Sequence, residues 1–137
     1  MPKKVYLSVP LIAHRNIKLA RTIADIIVTM GFELTSYWVI DDDPGFSKSS
    51  EFVYNRDINT LSNSDIIVAD VSNPSVGVGM EIMFSKIHNK HIMCLHQKGK
   101  PLSHMLNGMP EKILIEYKKL KELKETLSQS LMQIKDE

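Results

Sequence analysis

The 137-residue sequence is poor in cysteine: it contains one, Cys94. A lone cysteine cannot form a disulfide within the chain, and Cys94 lies in an apolar run, so we interpret it as a buried structural thiol in a reducing compartment. No apolar run approaches the roughly 20 residues that span a bilayer. The apolar stretch after the first four residues is too short for a signal peptide. We therefore expect a soluble, cytoplasmic protein.

The sequence also lacks an excess of charge of either sign. Its 17 basic and 16 acidic side chains leave a formal net charge of +1. This balance gives no electrostatic reason to expect nucleic acid or an anionic membrane as a partner. Neither a repeat nor a low-complexity tract divides the chain, and its length fits one globular domain over residues 1–137.

What the chain does contain is an alternation of short apolar runs with longer helical patterns. This alternation predicts an α/β fold of the flavodoxin-like type, a doubly wound five-stranded parallel sheet with helices on both faces. The predicted strands are residues 5–9, 33–40, 65–70, 91–96 and 113–117. The predicted helices are residues 16–30, 49–61, 80–88 and an amphipathic C-terminal helix over about 118–135.

Residues 70–81 form the densest group of unusual side chains. A loop containing Ser72, Ser75, Gly77 and Gly79 is predicted to lead from the third strand into a helix. Glycines let a backbone approach a ligand closely, and free N–H groups at a helix start favour an anion. A plain strand–helix connection is the simpler alternative, because no nucleotide-binding glycine fingerprint is present. In this fold, the loops after the first, third and fourth strands are expected to line one crevice.

Two carboxylates stand out near this loop. Glu81 is predicted in the first turn of a helix among apolar residues, and Asp57 in the middle of another helix. The simple interpretations are a complement to the helix dipole for Glu81 and a solvated ion pair for Asp57. Two carboxylates that reach one crevice could instead break a glycosidic bond, one attacking C1 and the other handling the proton.

Metal binding is less well supported. The acidic run 41–43 cannot aim all its side chains one way, and the histidines lack the spacing of a metal site. We therefore predict no metal and no cofactor.

Four segments of the sequence are similar to segments of a known family: residues 5–7, 56–70, 73–81 and 100–108. With these segments the sequence resembles the nucleoside 2-deoxyribosyltransferase family, and within it the branch of 2'-deoxynucleoside 5'-phosphate N-hydrolases. The resemblance runs from residue 4 to about residue 117. Its most specific part is Gly-Val-Gly-Met-Glu, residues 77–81.

The resemblance implies a catalytic role for three residues. Glu81 matches the family's nucleophile, which attacks C1' and forms a covalent deoxyribosyl ester. Asp57 matches the acid that interacts with the base and helps it leave. Tyr6 matches a tyrosine near the sugar, whose hydroxyl could orient Glu81.

The resemblance also implies substrate-binding positions. Ser75 matches a serine that contacts phosphate in the hydrolases, and Ser103 matches a residue that enters the neighbouring subunit's site. With Gly77, Gly79 and Met105, these serines complete the predicted substrate-binding set. The chain is thus expected to form a homodimer or a larger homo-oligomer.

One loop departs from the hydrolase pattern. Pro10 and Ile12 stand where the hydrolases hold phosphate with a serine and an arginine. Proline has no N–H to donate, and isoleucine carries no charge. Ser8, His14 and Arg15 remain as candidates to compensate.

These observations predict an enzyme that releases or exchanges the base of a 2'-deoxynucleoside or its 5'-monophosphate. The altered loop motivates an alternative, a flavodoxin-like module that binds nucleotides without cleaving them. A phosphoacceptor receiver domain is a third possibility, because Asp70 ends a strand, although Lys98 is poorly placed as its switch lysine.

Overall fold

The computed structural model describes residues 1–137 as five parallel strands and five α-helices. None of these helices combines the length and apolarity needed to cross a membrane. The strands are β1 (Lys4–Ser8), β2 (Glu33–Leu34), β3 (Ile66–Asp70), β4 (His91–Gln97) and β5 (Ile113–Tyr117). The helices are α1 (Ile17–Thr29), α2 (Ser50–Ser62), α3 (Val76–Ile87), α4 (His104–Gly108) and α5 (Leu120–Lys135).

The strands form one sheet in the order β2-β1-β3-β4-β5, with every neighbouring pair parallel. This order confirms the predicted flavodoxin-like class. The direction of winding reverses between β1 and β3, which pair from Val5 with Ile66 to Ser8 with Ala69. Ligands of such folds bind beyond the carboxyl ends of the strands at that reversal.

The core follows the apolar patterns of the sequence. All five residues of β3 are buried, as its continuous apolar run predicts for a central strand. On α5 the predicted apolar stripe is buried at four of its five positions, and Leu120 alone is exposed. The buried members of the stripe are Leu123, Leu127, Leu131 and Ile134.

The predicted second strand is mostly wrong. Only Glu33–Leu34 pairs with β1, and Tyr37–Ile40 forms a short 3₁₀ helix. The Ser36 side chain ends the ladder: its hydroxyl donates to the Leu7 carbonyl at 2.8 Å and accepts from the Leu7 N–H at 2.7 Å. The chain then turns inward, which buries Trp38.

Two helices also differ from prediction, α3 in its start and α4 in its presence. α3 begins at Val76, four residues before the predicted start at residue 80, because Ser75 caps it by accepting from the Val78 N–H. Gly77 and Gly79 therefore lie in the first turns of the helix, and Glu81 in its second turn. The five-residue α4 was not predicted; it is too short to show a periodic pattern.

We expect Leu127→Ala to destabilise the fold by about 2–5 kcal/mol, because the truncation leaves a cavity at a fully buried site. Leu120→Ala on the same helix is the matched control, since 43% of Leu120 is exposed, and its cost should stay below about 1 kcal/mol. Urea unfolding measures both values. Equal losses in the two variants would contradict this account of α5 packing.

Candidate active site

The site begins with two hydroxyls on β1. Tyr6 and Ser8 are two residues apart, so they project from the same face of the strand, and each is 1% exposed. Both hydroxyls point at Glu81 on α3. Tyr6 donates to Oε2 of Glu81, and Ser8 donates to Oε1 at 2.7 Å. Each oxygen of this carboxylate is therefore held by its own donor.

The surroundings of Glu81 shift its proton affinity. Burial raises the pKa of Glu81 to about 7, and the negative charge of Asp57 adds to the rise. The hydroxyls of Tyr6 and Ser8 and the positive charge of Arg56 oppose it. Burial, with the charge of Glu81, also raises the pKa of Tyr6, so the phenol stays protonated and acts as a donor. Glu81 is thus poised to change charge near neutral pH.

Asp57 is a partly buried acid rather than part of a solvated helix face. Its side chain is 18% exposed and accepts from Nε of Arg56 at 2.9 Å. Burial raises the pKa of Asp57, and the hydrogen bond and charge of Arg56 oppose that rise. The predicted pairing with a neighbouring cation is present, but it is largely removed from water.

Trp38 contacts one hydrogen-bond partner of each carboxylate, Tyr6 for Glu81 and Arg56 for Asp57. Its ring meets the Tyr6 ring edge-on, with centroids 6.0 Å apart and an interplanar angle of 71°. The guanidinium carbon of Arg56 lies over the Trp38 ring, 4.0 Å from its centroid. Sequence reasoning missed Trp38, Arg56 and the role of Ser8. The position of Arg56 beside Asp57 was the one available signal.

The remaining predicted residues lie on α3 and α4. Ser75, Gly79, Ser103 and Met105 line a mostly apolar cavity of about 710 Å³ formed by α3, α4 and the segments after β3 and β4. Gly77 is not among its lining residues. An added Cβ at either helical glycine would meet nothing within 4 Å, so both leave open space beside the helix.

This cavity does not include Tyr6, Asp57 or Glu81. Glu81 follows Gly79 by two residues, which places it about 200° further around the axis of α3. The segments after β3 and β4 thus share one cavity, while the end of β1 meets Glu81 on another flank of α3. The segments after β3 and β4 therefore line one cavity as expected, and the loop after β1 is not among the residues that line it.

Two of the three candidates for holding phosphate are engaged elsewhere. Ser8 donates to Glu81. The Arg15 guanidinium donates to the backbone carbonyls of Val39 and Asp42 at 3.3 Å, and also to that of Asp41. His14 is exposed and makes no hydrogen bond through its side chain. The altered loop is consequently braced against the segment after the 3₁₀ helix.

Asp70, the strand-end acid, is turned toward its own backbone. Its Oδ1 accepts from the Ser72 N–H at 3.1 Å, and the Ser72 hydroxyl accepts from the Gln97 N–H at 2.9 Å. Lys98 is exposed. No group of three His, Cys, Asp or Glu side chains is placed to hold a metal ion.

Two partly buried acids, with hydroxyl donors at the winding reversal of a flavodoxin-like sheet, define an α/β enzyme site suited to acid–base or nucleophilic chemistry. The sequence profile of the nucleoside 2-deoxyribosyltransferase family matches residues 5–132. The chain belongs to this family, which is a family of enzymes.

Individual relatives agree with this assignment. The chain is 34% identical to a 5-hydroxymethyl-dUMP N-hydrolase of Danio rerio over 80% of each chain. It is 37% identical to a protein of Syntrophotalea carbinolica proposed to be a 2'-deoxynucleoside 5'-phosphate N-hydrolase, over 65% of this chain and 64% of that relative. The match thus spans slightly less than two thirds of the latter.

A solved structure shares the fold. The CMP N-glycosidase of Clostridium botulinum superposes with a TM-score of 0.70 over 91% of this chain and 98% of that one. At 20% identity, this likeness shows the fold alone.

We predict that Ser8→Ala raises the pKa of Glu81 above about 7, because a donated hydroxyl stabilises the ionised carboxylate. Carbon-13 NMR titration of the glutamate side chains measures this pKa directly. Ser85→Ala is the matched control, since Ser85 is fully buried but its hydroxyl donates to the backbone carbonyl of Glu81 at 2.9 Å. A midpoint that moves equally in both variants, or in neither, would contradict the role of Ser8.

Proposed function

We propose that this enzyme cleaves the N-glycosidic bond of 2'-deoxynucleosides or their 5'-monophosphates, with Glu81 as the nucleophile. The observation that carries the proposal is the carboxylate of Glu81 held at both oxygens by the Tyr6 and Ser8 hydroxyls, beside the partly buried Asp57. Membership of the deoxyribosyltransferase family supports the bond that is cleaved.

In the first step, a carboxylate oxygen of ionised Glu81 attacks C1' as the bond from C1' to the base nitrogen breaks. The bonding electron pair leaves with the base, which Asp57 engages and helps to depart. Tyr6 keeps the carboxylate in its attacking orientation. Because the pKa of Glu81 is about 7, a substantial fraction of the enzyme carries the nucleophile in its reactive form at neutral pH. Water then cleaves the glycosyl ester, or a second base accepts the sugar.

The serines that cap two helices support a 5'-phosphorylated substrate. Ser75 accepts from the Val78 N–H at 3.4 Å, and Ser103 accepts from the Leu106 N–H at 3.2 Å. Each hydroxyl proton is left to donate to a phosphate oxygen, and the N-terminus of α3 favours an anion. The names of the two N-hydrolase relatives and the CMP N-glycosidase also refer to nucleotides.

We further propose that Ser103 and Met105 serve the site of a neighbouring copy. They line a cavity whose lining residues do not include Glu81, and the resemblance to the family matches Ser103 to a residue that enters the neighbouring subunit's site. An exposed apolar stripe on α3 offers a surface for self-association. Its members are Val76, Met80, Met83 and Ile87. The cytoplasmic location and the single-domain boundaries stay predictions.

Incubation with each deoxynucleoside and its 5'-monophosphate should release free base, which chromatography detects. Glu81→Ala should abolish release because it removes the nucleophile, and a second free base should separate exchange from hydrolysis. Full activity in Glu81→Ala, or no release from any substrate, would refute the proposal. Tight binding of a nucleotide that is recovered intact would instead indicate the non-catalytic module.

Mixing two inactive variants tests the shared site. Ser103→Asp keeps a helix-capping side chain but repels phosphate, so we expect it to be inactive on monophosphates. Glu81→Ala supplies an intact Ser103. Each hybrid dimer has one complete site of two and should regain about half of the wild-type rate. Because about half of the dimers in an equimolar mixture are hybrids, the mixture should reach about a quarter. No recovery after dissociation and reassociation would show that Ser103 acts within its own chain.

A further inference from the structure

Arg56 has no part in the reaction proposed so far, yet its side chain is largely removed from water. It is adjacent to Asp57 on α2, and successive helical side chains point about 100° apart. The Arg56 side chain nevertheless bends so that Nε donates to Oδ1 of Asp57 at 2.9 Å. Only 16% of the Arg56 side chain is exposed. Something other than the helix must hold it there.

Trp38 provides one side of that restraint. The guanidinium carbon lies 4.0 Å from the Trp38 ring centroid, a stacking distance, and a second ring, Phe52, is 5.8 Å away. Trp38 is itself 5% exposed and contacts Tyr6 edge-on. The platform under the guanidinium is therefore fixed by the core.

Gly45 provides the other restraint. A Cβ added to Gly45 would lie 3.2 Å from both Nη1 and Nη2 of Arg56, so the turn presses against the guanidinium edge. The φ of Gly45 is +131°, which favours glycine. Asp43 stabilises the turn by accepting from the Gly45 N–H at 2.9 Å. Arg56 is thus clamped between Trp38 and this turn.

The clamp has a consequence for Asp57. Oδ1 of Asp57 is occupied by Arg56, and Oδ2 accepts no hydrogen bond from the chain. The carboxylate therefore presents a single free oxygen in a fixed direction. An unpaired aspartate in the same place could rotate and offer either oxygen.

The same cation balances the charges of the site. The ionisable groups around Asp57 are Arg56 beside it, Glu81 on α3 and Tyr6 on β1. Arg56 lowers the pKa of both Asp57 and Glu81, which burial raises. Arg56 therefore offsets part of the effect of burial on both carboxyl groups.

We infer that Arg56 is a positioning residue: clamped between Trp38 and Gly45, it occupies Oδ1 of Asp57 and so fixes Oδ2 as the oxygen that engages the departing base. This inference rests on the proposed function, since it takes Asp57 as the group that meets the base.

A double-mutant cycle tests whether Arg56 acts through Asp57. We expect Arg56→Met to lower kcat for base release about 10–100-fold, more than it changes KM, because a charge-assisted hydrogen bond is lost. In an Asp57→Asn background the same change should have little further effect. Lys48→Met is the control: the Lys48 ammonium lies 5.5 Å from the Phe52 ring on the same surface but does not contact Asp57, so kcat should be unchanged. Additive losses in the cycle would overturn the inference.

Titration of Asp57 provides a readout independent of turnover. Carbon-13 NMR of the aspartate carboxyls should show a higher midpoint for Asp57 in Arg56→Met, and a smaller rise in Arg56→Lys, which keeps the charge but loses the planar stack. Thermal unfolding shows whether each variant is folded. An unchanged midpoint in a folded Arg56→Met protein would refute the role of Arg56. Absence of base release by the wild type would refute the proposed function, and the titration would still decide the inference.

Discussion

The site depends on the interaction between one carboxylate and two hydroxyls of a core strand. A buried carboxylate is stable only when its oxygens are hydrogen-bonded. β1 meets this requirement because Tyr6 and Ser8, two residues apart, project from the same face of the strand. Glu81 on α3 accepts a hydrogen bond from each of them. The remaining cost of burial raises the pKa of Glu81 to about 7. The same contacts therefore offset part of the cost of burying the carboxylate.

Much of the fold could be predicted from local patterns. The apolar run of β3 and the stripe of α5 predicted central burial and an amphipathic helix, because burial at those positions is decided by the residues themselves. The end of β2 could not be predicted in this way. The residues around Trp38 have high strand propensity, but the Ser36 side chain takes the backbone bonds of Leu7 that a longer strand would need. A long-range hydrogen bond overrode the local preference.

The part of the site that lies in recognisable sequence motifs could be predicted. Glu81, Asp57 and Tyr6 were expected together, and all three contribute to one charged network. Ser8 and Arg56 gain their roles from partners that are distant in sequence or from stacking, which spacing does not reveal. Ser8 was considered only as a phosphate ligand, whereas its bond to Glu81 joins residues 73 positions apart.

The placement of Tyr6 and Ser8 in the core limits how such a site can diversify. Both side chains are buried in the core, so a substitution that alters the hydrogen-bond partners of Glu81 also alters the packing on which the sheet depends. The segments outside the sheet carry no such double constraint. Ile12, in the loop after β1, is 96% exposed, so its replacement does not alter the packing of β1. Changes among relatives should therefore accumulate in the loops, while the contacts of Tyr6 and Ser8 with Glu81 are inherited with the core.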